Sequence, residues 1–456
     1  MRLRVTPGSS LSGELSVPGD KSIAHRWLIL SSTAKGKSVI HGLPQSLDVR
    51  SMASCLAAIS PPARPGLEAW GRNGGPAGEP GGSTWNADLH HGFTSSLELQ
   101  GQGRAGLRQP RHDLDCGNSG AAMRFLTGLL AGGASTAVLV GDESLSARPM
   151  ERIAEPLRQM GASVTTTHGH APITVSGGGL LGITYRSVVP TAQVKGAVLF
   201  AGLAAAGVTI VEEAVTTRDH TERALRALGA PISMEATTVR LESFQHGGFE
   251  GHVPGDPSSA AFIVAAAALT GSEVTIHGVG LNPSRLYFLD VMSRMGVRTE
   301  ARIENESVGE PVGDLWVGAT GAINATTVTP DEIPLIIDEI PVLAALAAHA
   351  PEDSWFLGAG ELRVKESDRL AGVAEGLRTM GGAAGAEGED LVIAGGGLLG
   401  GVAHAGGDHR LAMAFAVASL AADAPCEIEG IEAVDVSFPG FADALSGLGA
   451  RVQVVS

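Results

Sequence analysis

The stretch LRQMGA at residues 157–162 recurs along the chain and indicates its architecture. Related stretches are LRALGA (225–230), MSRMGV (292–297), LRTMGG (377–382) and LSGLGA (445–450), which start 68, 67, 85 and 68 residues apart. Each is typical of a helix end closed by glycine, and strand-like residues such as SVTTT (163–167) follow. The pattern predicts a repeated unit of helix, cap and strand. The helix-like MASCLAAIS at 52–60 fits an additional, upstream copy.

A second type of helix recurs six times and is apolar on nearly every side. Its copies are KSIAHRWLILSSTAKG (21–36), NSGAAMRFLTGLLAGG (118–133), TAQVKGAVLFAGLAAAG (191–207), SSAAFIVAAAALTG (258–271), DEIPVLAALAAHA (338–350) and DHRLAMAFAVASLAADA (408–424). A helix without a polar face is buried, and small side chains let such helices approach closely. We therefore predict six interior helices in an α/β fold.

The phrase VPGD occurs at 17–20 and again at 253–256, and it divides the six units into three plus three. We interpret both copies as crossings between two domains, although two ordinary turns would give the same letters. The predicted first domain is 19–254, and the second is 1–18 plus 255–456. Residues 61–92 contain 5 Pro and 8 Gly and interrupt the first domain, which predicts a surface insertion.

The composition narrows the possible partners. A net charge of −16 over 456 residues argues against nucleic-acid binding, which needs a broad basic surface. No apolar run approaches the roughly 20 residues that cross a bilayer, and no leader is recognisable, so a cytoplasmic protein without a membrane partner is expected. The three cysteines form no C-x-x-C pair, and HH (90–91) and H-x-H (168–170) are interpreted as loop histidines, so no metal site is predicted.

The starts of the six apolar helices carry polar residues that indicate an anion site. These residues are Lys21, Ser22 and Arg26; Asn118 and Ser119; Gln193 and Lys195; Asp338 and Glu339; His409 and Arg410. Helix N-termini attract anions, and a cation there opposes the helix dipole unless an anion lies nearby. For Ser119 and Asp338 taken alone, helix capping is the better explanation.

A further constellation is RVKESDRL at 363–370. Leu370 begins a buried stripe that continues through Val373, Leu377 and Met380, and we predict Lys365, Glu366 and Arg369 on the opening turn of that helix, off the stripe. An acid and two cations close together suit proton transfer beside an anionic substrate. Alternatively, Glu366 compensates the helix dipole, and Lys365 to Arg369 form a solvated edge of the helix.

Several motifs together resemble the 5-enolpyruvylshikimate-3-phosphate synthase family. They are PGDKSIAHR (18–26), LDCGNSGAAMR (114–124), ARPM (147–150), TAQVKGAVL (191–199), TRDHTE (217–222), RVKESDR (363–369) and GDHR (407–410). The resemblance implies two domains, each of three βαβαββ units forming an inside-out α/β barrel, with the active site in the interdomain cleft. It also implies transfer of the enolpyruvyl group of phosphoenolpyruvate to the 5-hydroxyl of shikimate 3-phosphate, in the shikimate pathway, by a monomer without cofactors.

The resemblance further assigns site residues. Those implied for shikimate 3-phosphate are Lys21, Ser22, Arg26, Thr191, Ala192, Gln193, Arg218, Asp338 and Lys365. Those implied for phosphoenolpyruvate are Lys21, Gly120, Arg148, Gln193, Arg369, His409 and Arg410. We hypothesise that Asp338 is the base for the attacking hydroxyl, that Glu366 transfers the proton at the methylene carbon, and that Lys21 assists the departing phosphate.

Four positions depart from the family pattern: Ala24, Ala121, Ser146 and Thr191. Thr191 keeps the hydroxyl of the usual serine, whereas the other three are expected to lower substrate affinity. Gly120 leaves the phosphoenolpyruvate side uncrowded, which predicts inhibition by glyphosate. The alternatives are an enolpyruvyl transferase acting on UDP-N-acetylglucosamine, disfavoured because GDESLSA (141–147) has no cysteine, and a non-catalytic anion-binding paralogue.

Overall fold

The computed structural model describes residues 1–60 and 96–455, and the predicted insertion at 61–92 lies outside them. The described chain is a mixed α/β fold. Its α-helices are α1 (Lys21–Thr33), α2 (Leu47–Ile59), α3 (Gly120–Ala131), α4 (Glu143–Ser146), α5 (Glu151–Gln159), α6 (Ala192–Gly202), α7 (His220–Ala227), α8 (Pro257–Leu269), α9 (Tyr287–Arg294), α10 (Ile333–Ile336), α11 (Ile340–Ala347), α12 (Arg369–Thr379), α13 (His409–Ala418) and α14 (Phe441–Gly447). Short 3-10 helices span Arg104–Gly106, Pro283–Arg285, Gly360–Val364, Ser419–Ala421 and Ile431–Val436.

The strands of the described chain are short and distributed along its length. They are β1 (Arg2–Thr6), β2 (Ser12–Ser16), β3 (Lys35–His41), β4 (Leu97–Gln102), β5 (Leu114–Asp115), β6 (Thr136–Val140), β7 (Ser163–Thr167), β8 (His170–Ser176), β9 (Thr184–Arg186), β10 (Val208–Glu212), β11 (Ile232–Glu235), β12 (Thr238–Glu242), β13 (Glu250–His252), β14 (Glu273–Gly280), β15 (Arg298–Ser307), β16 (Glu310–Gly318), β17 (Thr327–Val328), β18 (Ser354–Phe356), β19 (Ala383–Glu387), β20 (Asp390–Ala394), β21 (Gly401–His404), β22 (Cys426–Glu429) and β23 (Arg451–Val455).

The strands of residues 1–60 and 96–455 form six small sheets with one recurring arrangement. The orders are β13-β3-β4, β5-β6-β8-β7, β11-β12-β10-β9, β15-β16-β14-β2, β17-β18-β20-β19 and β21-β22-β1-β23. In the second sheet, β5 pairs parallel with β6, whereas β8 pairs antiparallel with both β6 and β7. The other four-stranded sheets repeat this combination of one parallel and two antiparallel pairs.

The structure confirms the predicted unit of helix, cap and strand. At the first quoted stretch, α5 is followed by Gly161 with a φ of 105° and then by β7. This left-handed conformation is accessible to glycine but costly for other residues, so the repeated glycine marks each helix end. The helix of the upstream copy is also present, because α2 covers residues 52–59, whereas the residues that follow Ser60 lie outside the described part of the chain.

The apolar helices lie in the interior, as predicted. In α8, every residue from Pro257 to Ala268 is buried. A Cβ atom added to Gly128 of α3 would lie 2.2 Å from the carbonyl oxygen of Ala197 in α6, so this contact requires glycine. Small residues thus set the spacing of the interior helices.

The helices within residues 1–60 and 96–455 include none with the length and apolar character of a membrane span.

Two separate clusters hold the buried hydrophobic side chains. One draws on residues 23–253 and the other on residues 3–17 and 260–450. Among the strands that the structure describes, no sheet is shared between the two clusters. We call residues 19–254 the first half and residues 1–18 with 255–455 the second half.

The chain passes between the halves at two adjacent points, which are the two VPGD phrases. Gly19 and Gly255 form an antiparallel bridge, the Asp20 N–H donates to the Pro254 carbonyl at 2.7 Å, and the Asp256 N–H donates to the Pro18 carbonyl at 2.8 Å. Asp20 caps α1 and Asp256 caps α8. The two crossings therefore end at the starts of two interior helices.

Candidate active site

A cleft of about 370 Å³ lies between the halves and is lined by residues of both. Twelve of the predicted site residues line it: Lys21, Ser22, Gly120, Arg148, Thr191, Ala192, Gln193, Arg218, Asp338, Lys365, Glu366 and Arg410. The starts of α1, α3, α6 and α13 contribute to this lining. The structure therefore brings together residues that are up to 389 positions apart in the sequence, from Lys21 to Arg410.

Lys21 enters the cleft from the first turn of α1. The Asp20 side chain accepts hydrogen bonds from the Ser22 and Ile23 N–H groups and so orients this turn. Lys21 Nζ lies 2.9 Å from Asp48 Oδ2, with its side chain 16% exposed. The ammonium group is thus partly buried but open to a ligand in the cleft.

Asp338 enters from the second half, between α10 and α11, and four cations surround it. Arg218 Nη2 lies 2.7 Å from Oδ2, Arg369 Nη1 lies 3.5 Å from Oδ1, and Lys365 and Arg410 each approach to 3.8 Å. Burial alone raises the pKa of this carboxyl, but the charges of Arg410, Arg218, Lys365 and Arg369 together hold it well below its ordinary value. Asp338 is therefore a carboxylate at neutral pH.

Glu366 lies in a neighbouring segment and shares one of these cations, Arg369, with Asp338. Arg369 Nη2 lies 2.8 Å from its Oε2 and Arg148 Nη1 lies 4.0 Å from its Oε1. Burial raises the pKa of Glu366, but the charges of Arg369 and Arg148 lower it by a larger amount. The pKa therefore lies well below its ordinary value. For Lys365, burial is the largest effect and lowers the pKa of the ammonium group.

The predicted placement of Lys365 and Glu366 in a helix is wrong. Both residues lie between the 3-10 helix Gly360–Val364 and α12, which begins at Arg369. The cause is Asp368, whose side chain accepts a hydrogen bond from the Ala371 N–H and caps α12. The buried stripe from Leu370 to Met380 is present as predicted.

Three predicted site residues, Arg26, Arg369 and His409, are buried beside the cleft and do not line it. Arg26 donates to Thr221 Oγ1 at 2.7 Å and stacks on the Phe125 ring, whereas Arg369 pairs with Asp408 at 2.7 Å. Burial, followed by Lys21 and Arg410, lowers the pKa of His409 well below its ordinary value, so the ring is neutral.

Other residues singled out at helix starts have structural roles. Ser119 caps α3 and contacts His25 Nε2 at 3.0 Å. Lys195 is buried below the cleft, where its Nζ lies 2.7 Å from Glu213 Oε2 and 2.8 Å from Glu222 Oε1. Glu339 accepts a hydrogen bond from Ser258. None of these three residues lines the cleft.

Arg124 is a cleft residue that the sequence reasoning did not assign. It donates to Gln193 Oε1 and to the Pro149 carbonyl, and it lies near Arg148 and Arg152. Burial, followed by the charges of Arg152 and Arg148, lowers its pKa to about 9. Arg124 follows Gly120 by one helical turn within the quoted LDCGNSGAAMR motif, and this spacing could have identified it.

The departures from the family pattern occupy different environments. Ala121 lines the cleft. Ala24 is fully buried in the core of the first half, and Ser146 donates to the Gly141 carbonyl at 3.3 Å. Of the three departures other than Thr191, only Ala121 is placed to contact a ligand in the cleft.

The charges of the cleft suit a ligand with several negative charges. Eight cationic side chains and five carboxylates are among the lining residues. Two of those carboxylates, Asp338 and Glu366, lie beside cations that hold their pKa values well below the ordinary range, and a bound anion that offsets these cations would raise their proton affinity. Within residues 1–60 and 96–455, no group of His, Cys, Asp or Glu side chains is arranged to hold a metal ion.

Comparison with known proteins gives a consistent result. A family model described as EPSP synthase (3-phosphoshikimate 1-carboxyvinyltransferase) matches residues 5–62 and 94–445. A protein of Halorhodospira halophila named 3-phosphoshikimate 1-carboxyvinyltransferase is 44% identical, covering 99% of this chain and 97% of its own length. One of the same name from Acidithiobacillus ferrooxidans is 42% identical, covering 100% and 99%. A solved structure of EPSP synthase from Acinetobacter baumannii superposes with a TM-score of 0.82 at 35% identity, covering both chains fully.

Proposed function

The chain belongs to the EPSP synthase family, and from this premise we propose that its cleft carries out the family's reaction with the residues described above. The enzyme transfers the enolpyruvyl group of phosphoenolpyruvate to the 5-hydroxyl of shikimate 3-phosphate and releases phosphate. The observation that carries the assignment of residues is the convergence of Lys21, Asp338 and Glu366 on one cation-lined cleft.

In the addition step, Asp338 accepts the proton of the 5-hydroxyl while the hydroxyl oxygen bonds to the central carbon of phosphoenolpyruvate. Its ionised state supports this role, because a base must be unprotonated. Glu366, in its protonated form in the substrate complex, gives its proton to the methylene carbon, which becomes a methyl group. Glu366 is a carboxylate beside Arg369 and Arg148, and a bound anion that offsets these charges would raise its proton affinity.

In the elimination step, Glu366 takes a proton back from the methyl group, the bond between the central carbon and the phosphate oxygen breaks, and the double bond re-forms. Lys21 stabilises the charge on the departing phosphate and supplies its proton. The position of Lys21 at the start of α1 supports this role, because the positive end of the helix dipole adds to the Lys21 charge there.

We assign the remaining predicted residues to the two substrates as the family resemblance implies. Arg218, Thr191, Ala192, Gln193 and Lys365 would hold shikimate 3-phosphate with Lys21 and Ser22, and Arg148, Gly120 and Arg410 would hold phosphoenolpyruvate. Arg26, Arg369 and His409 would act from behind the lining residues. No cofactor takes part in this scheme.

We also propose that the two halves are two domains, 19–254 and 1–18 plus 255–456, each an inside-out α/β barrel of three βαβαββ units. The two hydrophobic clusters and the division of the six sheets into three plus three support this proposal. The monomeric state and the cytoplasmic location expected from the sequence remain predictions.

A phosphate-release assay tests the proposed function. The purified protein is mixed with phosphoenolpyruvate and either shikimate 3-phosphate or UDP-N-acetylglucosamine. We expect phosphate release with shikimate 3-phosphate alone. Release only with UDP-N-acetylglucosamine would identify the sister transferase, and no release with either would indicate a non-catalytic protein.

A further inference from the structure

A single buried guanidinium at the base of the cleft joins the two chain crossings. Arg285, the last residue of the 3-10 helix Pro283–Arg285, is 2% exposed. Its Nη1 donates to Asp20 Oδ2, and its Nη2 donates to Asp256 Oδ1 at 2.9 Å. The two carboxylates are the caps of α1 in the first half and α8 in the second.

On the first half, this contact leads directly to Lys21. While Asp20 Oδ2 pairs with Arg285, Oδ1 accepts the Ser22 N–H at 2.7 Å and the Ile23 N–H at 3.0 Å. The carboxylate is therefore fixed at both oxygens. The orientation of the first turn of α1, which carries Lys21 and Ser22, depends on where Arg285 holds that carboxylate.

On the second half, a hydrogen-bond chain leads towards Asp338. Arg285 Nη2 donates to Ser258 Oγ at 2.8 Å, and the Ser258 hydroxyl donates to Glu339 Oε1. Glu339 is the cap position of α11 and follows Asp338 directly. Arg285 thus contacts, through one intermediary on each side, the segments that carry Lys21 and Asp338.

The surroundings of Arg285 restrict its guanidinium to one orientation. His220 Nε2 lies 3.3 Å from Nη1, and His220 Nδ1 lies 2.8 Å from Glu310 Oε1. Glu310 also accepts a hydrogen bond from Asn282 at 3.0 Å. A planar fork can serve two carboxylates and a hydroxyl at once, whereas a lysine ammonium on a flexible stem holds no such fixed geometry.

We propose that Arg285 is a positioning residue for the enolpyruvyl transfer, which fixes Lys21 and Asp338 relative to each other across the cleft. The expected effect of Arg285 on kcat rests on the proposed function. The structural part of the inference, the control of the starts of α1 and α11, stands apart from any activity. Small misplacements of reacting groups cost large factors in rate, so the effect falls mainly on kcat.

The test compares wild type with Arg285→Lys and Arg285→Gln. We expect kcat to fall about 100-fold in Arg285→Lys, with a much smaller change in KM for either substrate. Hydrogen exchange followed by mass spectrometry supplies a second readout that needs no turnover. Amides of residues 20–24 and 338–340 should exchange about tenfold faster than in wild type.

Two controls separate positioning from general destabilisation. Arg158→Lys alters another arginine, which donates to the Val164 carbonyl at 2.6 Å outside the cleft, and Leu445→Ala weakens the core of the second half. Neither should change kcat or the exchange of these segments. The proposal is overturned if Arg285→Lys behaves like the controls in either readout. A wild type inactive with shikimate 3-phosphate would refute the proposed function, while the exchange readout would still decide the structural part.

Discussion

Arg218 Nη2 lies 2.7 Å from Asp338 Oδ2, and this ion pair crosses the cleft from the first half to the second. A residue implied in shikimate 3-phosphate binding therefore also helps to lower the pKa of the candidate base. Asp338 has further cations around it, but Arg218 makes the shortest contact. Binding and proton transfer are electrostatically coupled at this point.

Replacing Arg218 by glutamine should shift the pH dependence of the reaction. The Arg218 charge lowers the pKa of Asp338, so its removal raises that pKa. Activity requires the carboxylate, and the acidic limb of the kcat/KM profile should therefore move to higher pH. Arg186→Gln, which removes an 85% exposed arginine paired with Glu212, is the matched control. An acidic limb that stays in place in Arg218→Gln would contradict the role of Asp338 as base.

The two carboxylates should be separable by isosteric substitution. Asp338→Asn and Glu366→Gln each remove a proton acceptor while keeping the shape of the side chain, and each should lower kcat by about 10²–10⁴-fold. Phosphate release under saturating substrates measures the loss. The exposed Asp331, seven residues from Asp338, provides Asp331→Asn as a control with normal turnover. Near-normal turnover in either cleft variant would remove that residue from the mechanism.

Gly120 should determine how long a ligand the phosphoenolpyruvate side accepts. A Cβ atom at this position would lie 2.8 Å from Arg124 Nη1 and 3.4 Å from Arg148 Nη1. We expect wild type to be inhibited by glyphosate in competition with phosphoenolpyruvate, and Gly120→Ala to raise the inhibition constant about tenfold or more, beyond its effect on KM. Gly321→Ala, where a Cβ meets nothing within 4 Å, is the control. Unchanged turnover of wild type at saturating glyphosate and limiting phosphoenolpyruvate would rule the prediction out.

Lys195 should prove structural. Lys195→Met leaves Glu213 and Glu222 buried without their cation and should lower the free energy of unfolding by about 3–5 kcal/mol. Burial lowers the pKa of Lys195, but Glu222 and Glu213 raise it above its ordinary value of 10.5. The stabilisation of the folded state by the charged Lys195 is therefore complete below pH 10.5 and is lost only as the pH rises through that raised pKa. Urea unfolding at pH 7 and pH 9 should therefore give the same loss. Lys37→Met, in an exposed pair with Glu98, should cost much less, and an equal cost would contradict the assignment.

The halves should close further on ligands. Besides the Arg218–Asp338 ion pair, other contacts span the cleft: Ser144 Oγ donates to the Glu366 carbonyl at 2.8 Å, and Arg152 Nη1 lies 3.4 Å from Glu361 Oε2. Charges from both halves gain most when a bound anion excludes water between them. Small-angle scattering should show a smaller radius of gyration with shikimate 3-phosphate and glyphosate together than with either alone. The same radius in all three conditions would count against closure.

The architecture was largely predictable because its signals are local. A glycine after an apolar turn fixes a helix end at Gly161 or Gly449 whatever surrounds it, and a helix such as α8 has no polar side to expose. The VPGD phrases were informative for a similar reason, since Asp20 and Asp256 cap the helices that follow them.

The site was less predictable where distant residues decide it. The apolar stripe that begins at Leu370 does not itself mark where the helix starts, so the predicted helix extends over Lys365 and Glu366. The capping hydrogen bond of Asp368 instead starts α12 at the next residue, Arg369. Arg285 matches no motif, and its partner Asp20 is 265 residues away. Local pattern cannot reveal a contact between segments that only folding brings together.

The sheet order β21-β22-β1-β23 has a consequence for biosynthesis. Strand β1 pairs on both sides with strands from Cys426–Glu429 and Arg451–Val455, which are translated long after it. The first half needs no residue beyond His252 for its three sheets and can assemble on the ribosome while translation continues. Strand β1 must wait until both of its partner strands have been translated, so the second half, and with it the cleft, is completed only after the first half has been able to fold.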